Sequence, residues 1–568
     1  MNEREFYELT WPGKNAAKLK AASPTDKILR PNPNLSINFD STQNLYIEGD
    51  NLEVLKILQK SYMKQVKLIY IDPPYNTGHD FIYSDNFSHS QAQEHEQQKT
   101  FDDEGRRNFT AANFRENSKS NPRFHSDWCS MIYSRLKLAR NLLTDDGVIF
   151  ISIDDNEQAN LRKICDEIFG EDNFIAQLIW EKAFAPKNDA KFISVSHDYI
   201  LMFANNIDAF TIQRLPRTEE ADSRYSNPDN DPRGVWMSGN LTVKTYSAEY
   251  DYPVTTPSGK IIEPLPGRCW RLSKAAFQQK VNDNRIWFGA DGDGVPRLKR
   301  FLSELKFSGM SPISILHNKN VGHTQEGAQE LAKLLGGLYF DSPKPVRLLQ
   351  HLMTLANLDD NAIILDFFAG SSTTAHAVMN LNNADLGGNR KFILVQIPES
   401  CAPDSEAFKA GYNTICDIGR ARIIKAGQNL QWGDKGFRVL QVDSGNYKNV
   451  FLSPEEYTPG ILDTLTENIK PDRNALDLLF AQVSELGLSL SLCYSAEIVD
   501  GFTLHYYGEN KIIACFDKNI NRPLIEYIAK KRPERALFRD SCFENVNDMI
   551  NLRHIFAHYS EDSDIIIL

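Results

Sequence analysis

Nothing in the 568 residues approaches the ~18 consecutive apolar positions that a membrane-spanning helix requires, so no membrane span is expected. Cysteine is sparse. The eight (129, 165, 269, 401, 416, 493, 515 and 542) form no CxxC pair and no His/Cys grouping at metal spacing, which argues against a disulfide framework or a bound metal. No GxxxxGK[ST] loop occurs, so bound ATP is not expected, and there are no internal repeats. The opening "MNEREFYELT" is polar and acidic and lacks a signal-peptide core, which with reduced thiols points to the cytoplasm. Positive charge is also in short supply. With 63 Lys+Arg against 75 Asp+Glu the net charge is −12, unlike a protein that simply coats a polyanion. What remains is ordinary in composition and too long for one core, so three to four domains are expected.

The most informative stretch is "VKLIYIDPPYNTG", residues 66–78. Val66 to Ile71 is a short apolar run with β-branched members and reads as an interior strand. Pro73 and Pro74 end it, since neither has an N–H to give to a ladder, and they fix the backbone between Asp72 and Tyr75. In open α/β sheets the carboxyl ends of strands are where ligands bind. A carboxylate that accepts hydrogen bonds beside a ring that can stack suits an exocyclic amine on a nucleobase. The same residues could serve as strand punctuation alone. A second unit, "AIILDFFAGSSTTAHAVM" (362–379), reads as strand, turn and helix: Asp366 ends the strand, Gly370 allows close backbone approach and Ser371 to Thr374 can cap the helix. Taken alone it is a common arrangement, and His376 reads as a helix-face residue.

Strand and helix alternate through residues 41–180 and again through 336–430, which predicts a doubly wound, Rossmann-like parallel α/β sheet. Residues 1–40 form a proline-punctuated arm. Residues 84–122, poor in aliphatics, read as a long loop. Residues 181–335 are irregular and rich in Pro, Gly, Trp and Arg, and mark an inserted domain; 181–320 carry 19 Lys+Arg against 16 Asp+Glu. Within the insert, Trp236, Trp270 and Trp287 with Arg233, Arg268 and Arg285 could clamp a flat polyanion or serve the core. Residues 431–568 turn to hairpins and short helices, with 14 Lys+Arg against 21 Asp+Glu; "ALDLLFAQVSELGLSL" and "IIACFD" there are apolar enough to suggest a partner surface.

DPPY followed far downstream by FAGSS, with an insert between, resembles the β-class S-adenosylmethionine-dependent DNA amino-methyltransferases. With "NLYIEGDNLEVLKILQ", "SDWCSMIYSRLKLARNLLTDDGVIFISIDD", "DSPKP", "RKFILVQIPE", "GFRVLQVDS" and "FRDSCFEN" in order, the chain is more similar still to the modification (Mod) subunits of type III restriction–modification systems. The resemblance implies that the strands bearing Asp72 and Asp366 lie side by side. It implies adenine-N6 methylation of double-stranded DNA after the base is extruded, with Asp72, Pro73, Pro74 and Tyr75 at the amine. It places Asp50, Asp72, Lys344, Asp366, Phe368, Ala369, Gly370 and Ser371 around S-adenosyl-L-methionine, with Gln396 or Glu399 on its ribose. Gln396 stands where many relatives have Glu, and Ser372 where many have Gly. The resemblance further implies that 181–335 is a DNA target-recognition domain and 431–568 a homodimer contact. It adds a possible separate ATP-dependent restriction subunit and a nucleoid-associated location. Cytosine-N4 methylation, or a recognition subunit that delivers a nuclease, are the alternatives. The Asp of DPPY favours adenine, because N4 enzymes of the class mostly carry Ser there. No Pro-Cys dipeptide supports C5-cytosine chemistry.

Overall fold

The computed structural model describes residues 8–78, 81–83, 114–186, 188, 190–307, 309–448, 468–543 and 546–568. Most of the loop expected at 84–122 lies outside the described residues. The chain divides into two compact units, one of Met1–Ile212 with Ile313–Leu568 and one of Gln213–Pro312.

The first unit is built on a ten-stranded sheet. Its strands are β1 (Lys27–Pro31), β2 (Leu45–Glu48), β3 (Val66–Ile71), β4 (Leu143–Ile153), β5 (Phe174–Glu181), β6 (His197–Ala204), β7 (Ile315–Leu316), β8 (Ile363–Asp366), β9 (Lys391–Gln396) and β10 (Arg438–Ser444). They lie in the order β1-β10-β2-β9-β8-β3-β4-β6-β5-β7. The six from β10 to β4 are mutually parallel. Burial of both faces explains their sequences. Every residue of β2 and β3 is buried, so these strands read as near-continuous apolar runs, broken only by Glu48 and Lys67, instead of alternating ones. The sheet is mixed overall, because β1 pairs antiparallel with β10 and β6 pairs antiparallel with both β4 and β5. The helix Phe124–Leu142, whose Trp128, Met131, Ile132 and Leu136 are all buried, packs against the helix Asn51–Tyr62 beside this sheet.

The α/β pattern runs further than its sequence texture suggests. β6 joins the sheet between β4 and β5, and the helix Thr324–Leu335 packs against the helix Ile415–Gln428. The separate compact unit, Gln213–Pro312, is therefore narrower than the expected 181–335. It holds a three-stranded antiparallel sheet (Ile286–Trp287, Arg297–Phe301, Trp236–Asn240) and a small core around Leu241, Tyr252, Trp270 and Phe277. Trp236 and Trp270 are buried. Arg233 is paired with Asp231 and Asp283, and Arg285 with Asp283 and Glu304. These four side chains build the unit itself.

Beyond β10, a five-stranded sheet (Tyr494–Val499, Phe502–Tyr507, Ile512–Cys515, Arg535–Phe538, Asp564–Ile567) carries the helices Arg522–Lys530 and Val546–Tyr559. The two apolar segments expected to seek a partner are covered by their own chain. The helix Ala475–Glu485 packs against β1 and the helix Asn51–Tyr62, and Ile512 to Cys515 are wholly buried.

Candidate active site

β8 lies directly beside β3 in parallel, so Asp72 and Asp366 leave neighbouring strands at the same sheet edge despite the whole of 73–365 between them. The turn after β3 is held from behind. The Pro74 carbonyl accepts the indole N–H of buried Trp128 at 2.7 Å. Asn76 is fully buried with φ 61°, a left-handed conformation that Asn tolerates better than most residues. Its amide donates to Glu157 at 2.5 Å and accepts from Asn117 at 2.8 Å; Glu157 also meets His125 at 2.6 Å. This polar cluster locks the backbone and leaves Asp72 and Tyr75 facing outward.

The outward groups are short of partners. Asp72 Oδ2 meets the Lys344 ammonium at 2.5 Å, while Asp72 Oδ1 and the Tyr75 hydroxyl are buried and have no hydrogen-bond partner among the described residues. The phenol sits beside the Asp72 carboxylate, and burial followed by that negative charge holds it protonated well above the usual tyrosine range. A buried polar atom without a partner costs roughly 1–3 kcal/mol, so two of them side by side call for an explanation. Lys344 Nζ also lies 5.3 Å from the Tyr75 ring and 5.7 Å from that of Trp180, within cation–π range. On β6, Asp198 is buried and pairs with Lys182 at 2.6 Å; burial pushes its carboxyl up.

The turn after β8 is organised differently. Asp366 is buried and spends both oxygens internally, accepting the Phe368 N–H at 3.0 Å and the Thr374 hydroxyl at 2.5 Å. Burial pushes its carboxyl up to about 7. Gln396 Oε1 accepts the Gly370 N–H at 2.7 Å, and the fully buried Arg422 donates to the hydroxyls of Ser371 (2.9 Å) and Thr373 (2.6 Å). Ala369 N–H donates to the Val395 carbonyl. Gly370 has φ 49°, and a Cβ there would stand 3.2 Å from the Phe340 ring. Ser372 takes the left-handed backbone (φ 63°, ψ 36°) that a glycine would adopt without strain. Gly419 on the facing helix gives it room, since a Cβ at 419 would meet Ser372 Oγ at 2.6 Å.

A cleft of about 330 Å³ lies between the two turns, lined by Asp72, Pro73, Pro74, Tyr75, Lys344, Phe368, Gly370, Gln396 and Glu399. These residues, expected from sequence, are brought together. Phe340, Asp341, Ser342 and Ile415 line it too, and sequence reasoning did not single them out. Asp366, Ala369 and Ser371 stand behind the wall. Asp50 is also off the cleft, capping the helix Asn51–Tyr62 at Leu52 N–H and pairing with the buried Arg135. Glu399 is half-buried, and burial raises its carboxyl. His376 lies on the helix Thr373–Ala384, its imidazole pushed down to about 3 by burial and so neutral.

Residues 66–405 match the family model described as DNA methylase. The StyLTI type III restriction–modification Mod subunit of Salmonella typhimurium is 38% identical over 465 residues, covering 81% of this chain and 68% of its own. The EcoP15I Mod subunit of Escherichia coli is 32% identical over 621 residues, covering 99% and 91%. A putative DNA modification methylase from Thermus thermophilus, crystallised with S-adenosyl-L-methionine, matches 70% of this chain and 99% of its own at 13% identity with a TM-score of 0.30, too low to carry weight. By the family match and these identities, the chain belongs to the DNA methylases and, among them, to the Mod subunits of type III restriction–modification enzymes.

Proposed function

We propose that the cleft holds S-adenosyl-L-methionine against an extruded adenine of duplex DNA, and that Asp72 presents the adenine N6 for methylation. The observation that carries this reading is the buried, partnerless Asp72 Oδ1 beside Tyr75 at the rim of the cleft. The residues fit the cofactor. Lys344 supplies a cation for its carboxylate, Gly370 leaves a side-chain-free wall that a Cβ would crowd, and Phe368 offers an apolar face. Of the two candidates for the ribose, Gln396 already spends its amide on Gly370 and Ile397, which leaves Glu399 to accept from the hydroxyls.

When bound, the cofactor supplies a methyl group on a cationic sulfur. The adenine amine is a poor nucleophile because its lone pair is delocalised into the ring. Asp72 Oδ1 and the Pro73 carbonyl accept its two N–H bonds, which favours the pyramidal form, and Asp72 is placed to take the proton that the amine loses. Tyr75 presents its face to the base and recovers about 1–3 kcal/mol of the stacking lost on extrusion. Lys344 fixes the Asp72 carboxylate. Positioning and electrostatics therefore carry the acceleration.

The unit Gln213–Pro312, with 15 Lys+Arg against 12 Asp+Glu in an acidic chain, is read as the part that selects the DNA sequence. A homodimer and a separate ATP-dependent restriction subunit are read from the family alone, since the apolar segments that suggested a dimer surface are covered within the chain. Among the described residues no helix is long and apolar enough to cross a membrane. Modification-detecting sequencing of DNA from a strain expressing this one gene tests the reading. N6-methyladenine at one short motif is expected, and exchange of 213–312 for a relative's unit should change the motif. N4-methylcytosine, or an active chimera that keeps the original motif, would overturn the corresponding part.

A further inference from the structure

The three most exposed large apolar side chains among the described residues, Phe192 (86%), Ile193 (83%) and Phe184 (80%), all sit on one hairpin loop, residues 182–196, between β5 and β6. Isolated exposed apolar residues need no explanation, but a cluster of this kind marks an interaction surface. The place of the loop matters. β5 runs in the same direction as β3, so its carboxyl end opens at the sheet edge where Asp72 sits.

The foot of the loop is pinned beside the cleft. Trp180 lies at the end of β5 with its ring 5.7 Å from Lys344 Nζ. Lys182 pairs with Asp198, Ala183 N–H donates to the Ser196 carbonyl, and Thr324 N–H donates to the Lys182 carbonyl. Phe184 leans edge-on towards His323 at 6.4 Å, whereas Phe192 and Ile193 extend into solvent. Lys191 Nζ lies 5.2 Å from the Phe192 ring, and the segment 182–196 carries three lysines against one aspartate. An apolar tip with cations beside it, rooted at the mouth of a base pocket, fits a polyanion whose interior is a stack of flat rings.

We propose that Phe192, with Ile193 behind it, enters the duplex at the position the target base vacates and stacks in the gap, while Lys191 faces the adjacent phosphates. Apolar side chains are known to wedge between base steps, and an aromatic face, which stacks on any base, offsets part of the unstacking cost. The wedge makes extrusion easier without reading sequence. The proposal rests on the DNA-methyltransferase reading of the cleft.

The test uses the full-length enzyme and duplexes bearing the motif found by sequencing, with 2-aminopurine in place of the target adenine. The fluorescence rise on binding, in the presence of S-adenosylhomocysteine, reports extrusion. Phe192→Ala should lower the extruded fraction about tenfold on a paired duplex, the size of one lost stacking contact, and Phe192→Leu should fall between it and the parent. With a mismatch opposite the target, where extrusion is already cheap, the Ala variant should return to near the parent's signal. Parent-like extrusion by Phe192→Ala on the paired duplex would overturn the proposal. So would a halved mass in light scattering with the defect unchanged on the mismatched duplex, which would assign the loop to a contact between copies of the chain. Absence of adenine methylation by the parent protein would instead break the underlying reading, and the wedge with it.

Discussion

Asp72 and Asp366 both stand at the carboxyl ends of adjacent parallel strands, Asp366 as the last residue of β8 and Asp72 just beyond β3, yet one carboxylate is spent wholly on its own turn and the other keeps an oxygen without a partner. Asp366 satisfies both oxygens within its own turn and does not line the cleft; it shapes the backbone that Gly370 presents. Asp72 has one oxygen on Lys344 and the other on nothing. The strand end alone does not distinguish them. What differs is the next few residues: Pro73 and Pro74 offer no N–H to the Asp72 carboxylate, whereas Phe368 N–H and Thr374 turn back on Asp366. Proline leaves an acid free by having no donor.

Four substitutions break or sharpen this contrast. The largest effect is expected at the free carboxylate. Asp72→Ala should slow tritiated methyl transfer to duplex DNA by ~100-fold or more, the scale of a lost transition-state hydrogen bond, while a binding titration stays near normal. Equal collapse of transfer and binding would mean that Asp72 only supports the fold. Next comes the division of labour between two neighbours on the cofactor side. Glu399→Ala should weaken S-adenosylhomocysteine binding about tenfold in calorimetry without moving the melting temperature. Gln396→Ala should instead lower the melting temperature by freeing the Gly370 N–H, and the reverse pattern would exchange their roles.

The smallest effect concerns the spent carboxylate. Burial holds the Asp366 pKa near 7 in the folded chain, against an ordinary value near 4 when unfolded. The folded state therefore binds the proton more tightly, so stability is full below about pH 4 and declines as pH rises to about 7. Asp366→Asn has no proton to lose and keeps an acceptor for Phe368 N–H. Its melting temperature relative to the parent should rise by roughly 2 °C from pH 5 to pH 8. A difference independent of pH would show that Asp366 titrates normally.

Much of this was legible in the sequence, because strand ends, prolines and glycines act locally. The pairing of β3 with β8 followed from the family's block order. Other parts were not legible. The Trp180 and Asp198 side chains near the cleft lie on a hairpin whose texture resembles the insert more than the sheet, since β6 runs antiparallel and its loop is irregular. The cluster of Asn76, Asn117, His125 and Glu157 joins three segments by side-chain hydrogen bonds, and no periodicity reports such contacts. The apolar helix Ala475–Glu485 has the pattern of a partner surface, but hydrophobic periodicity says only that a face is covered, not by which molecule.

The adjacency of β3 and β8 also governs when the cleft can exist. Parallel strands so distant in sequence carry a large loop-closure cost before any contact rewards it, so they pair late. On a ribosome the DPPY turn emerges long before Ile363, while Gln213–Pro312 is complete and has its own core. A nascent chain can therefore fold that small unit first, and it has no catalytic cleft until β8 and β9 have left the exit tunnel. The order of synthesis makes the cleft a late feature of the growing chain.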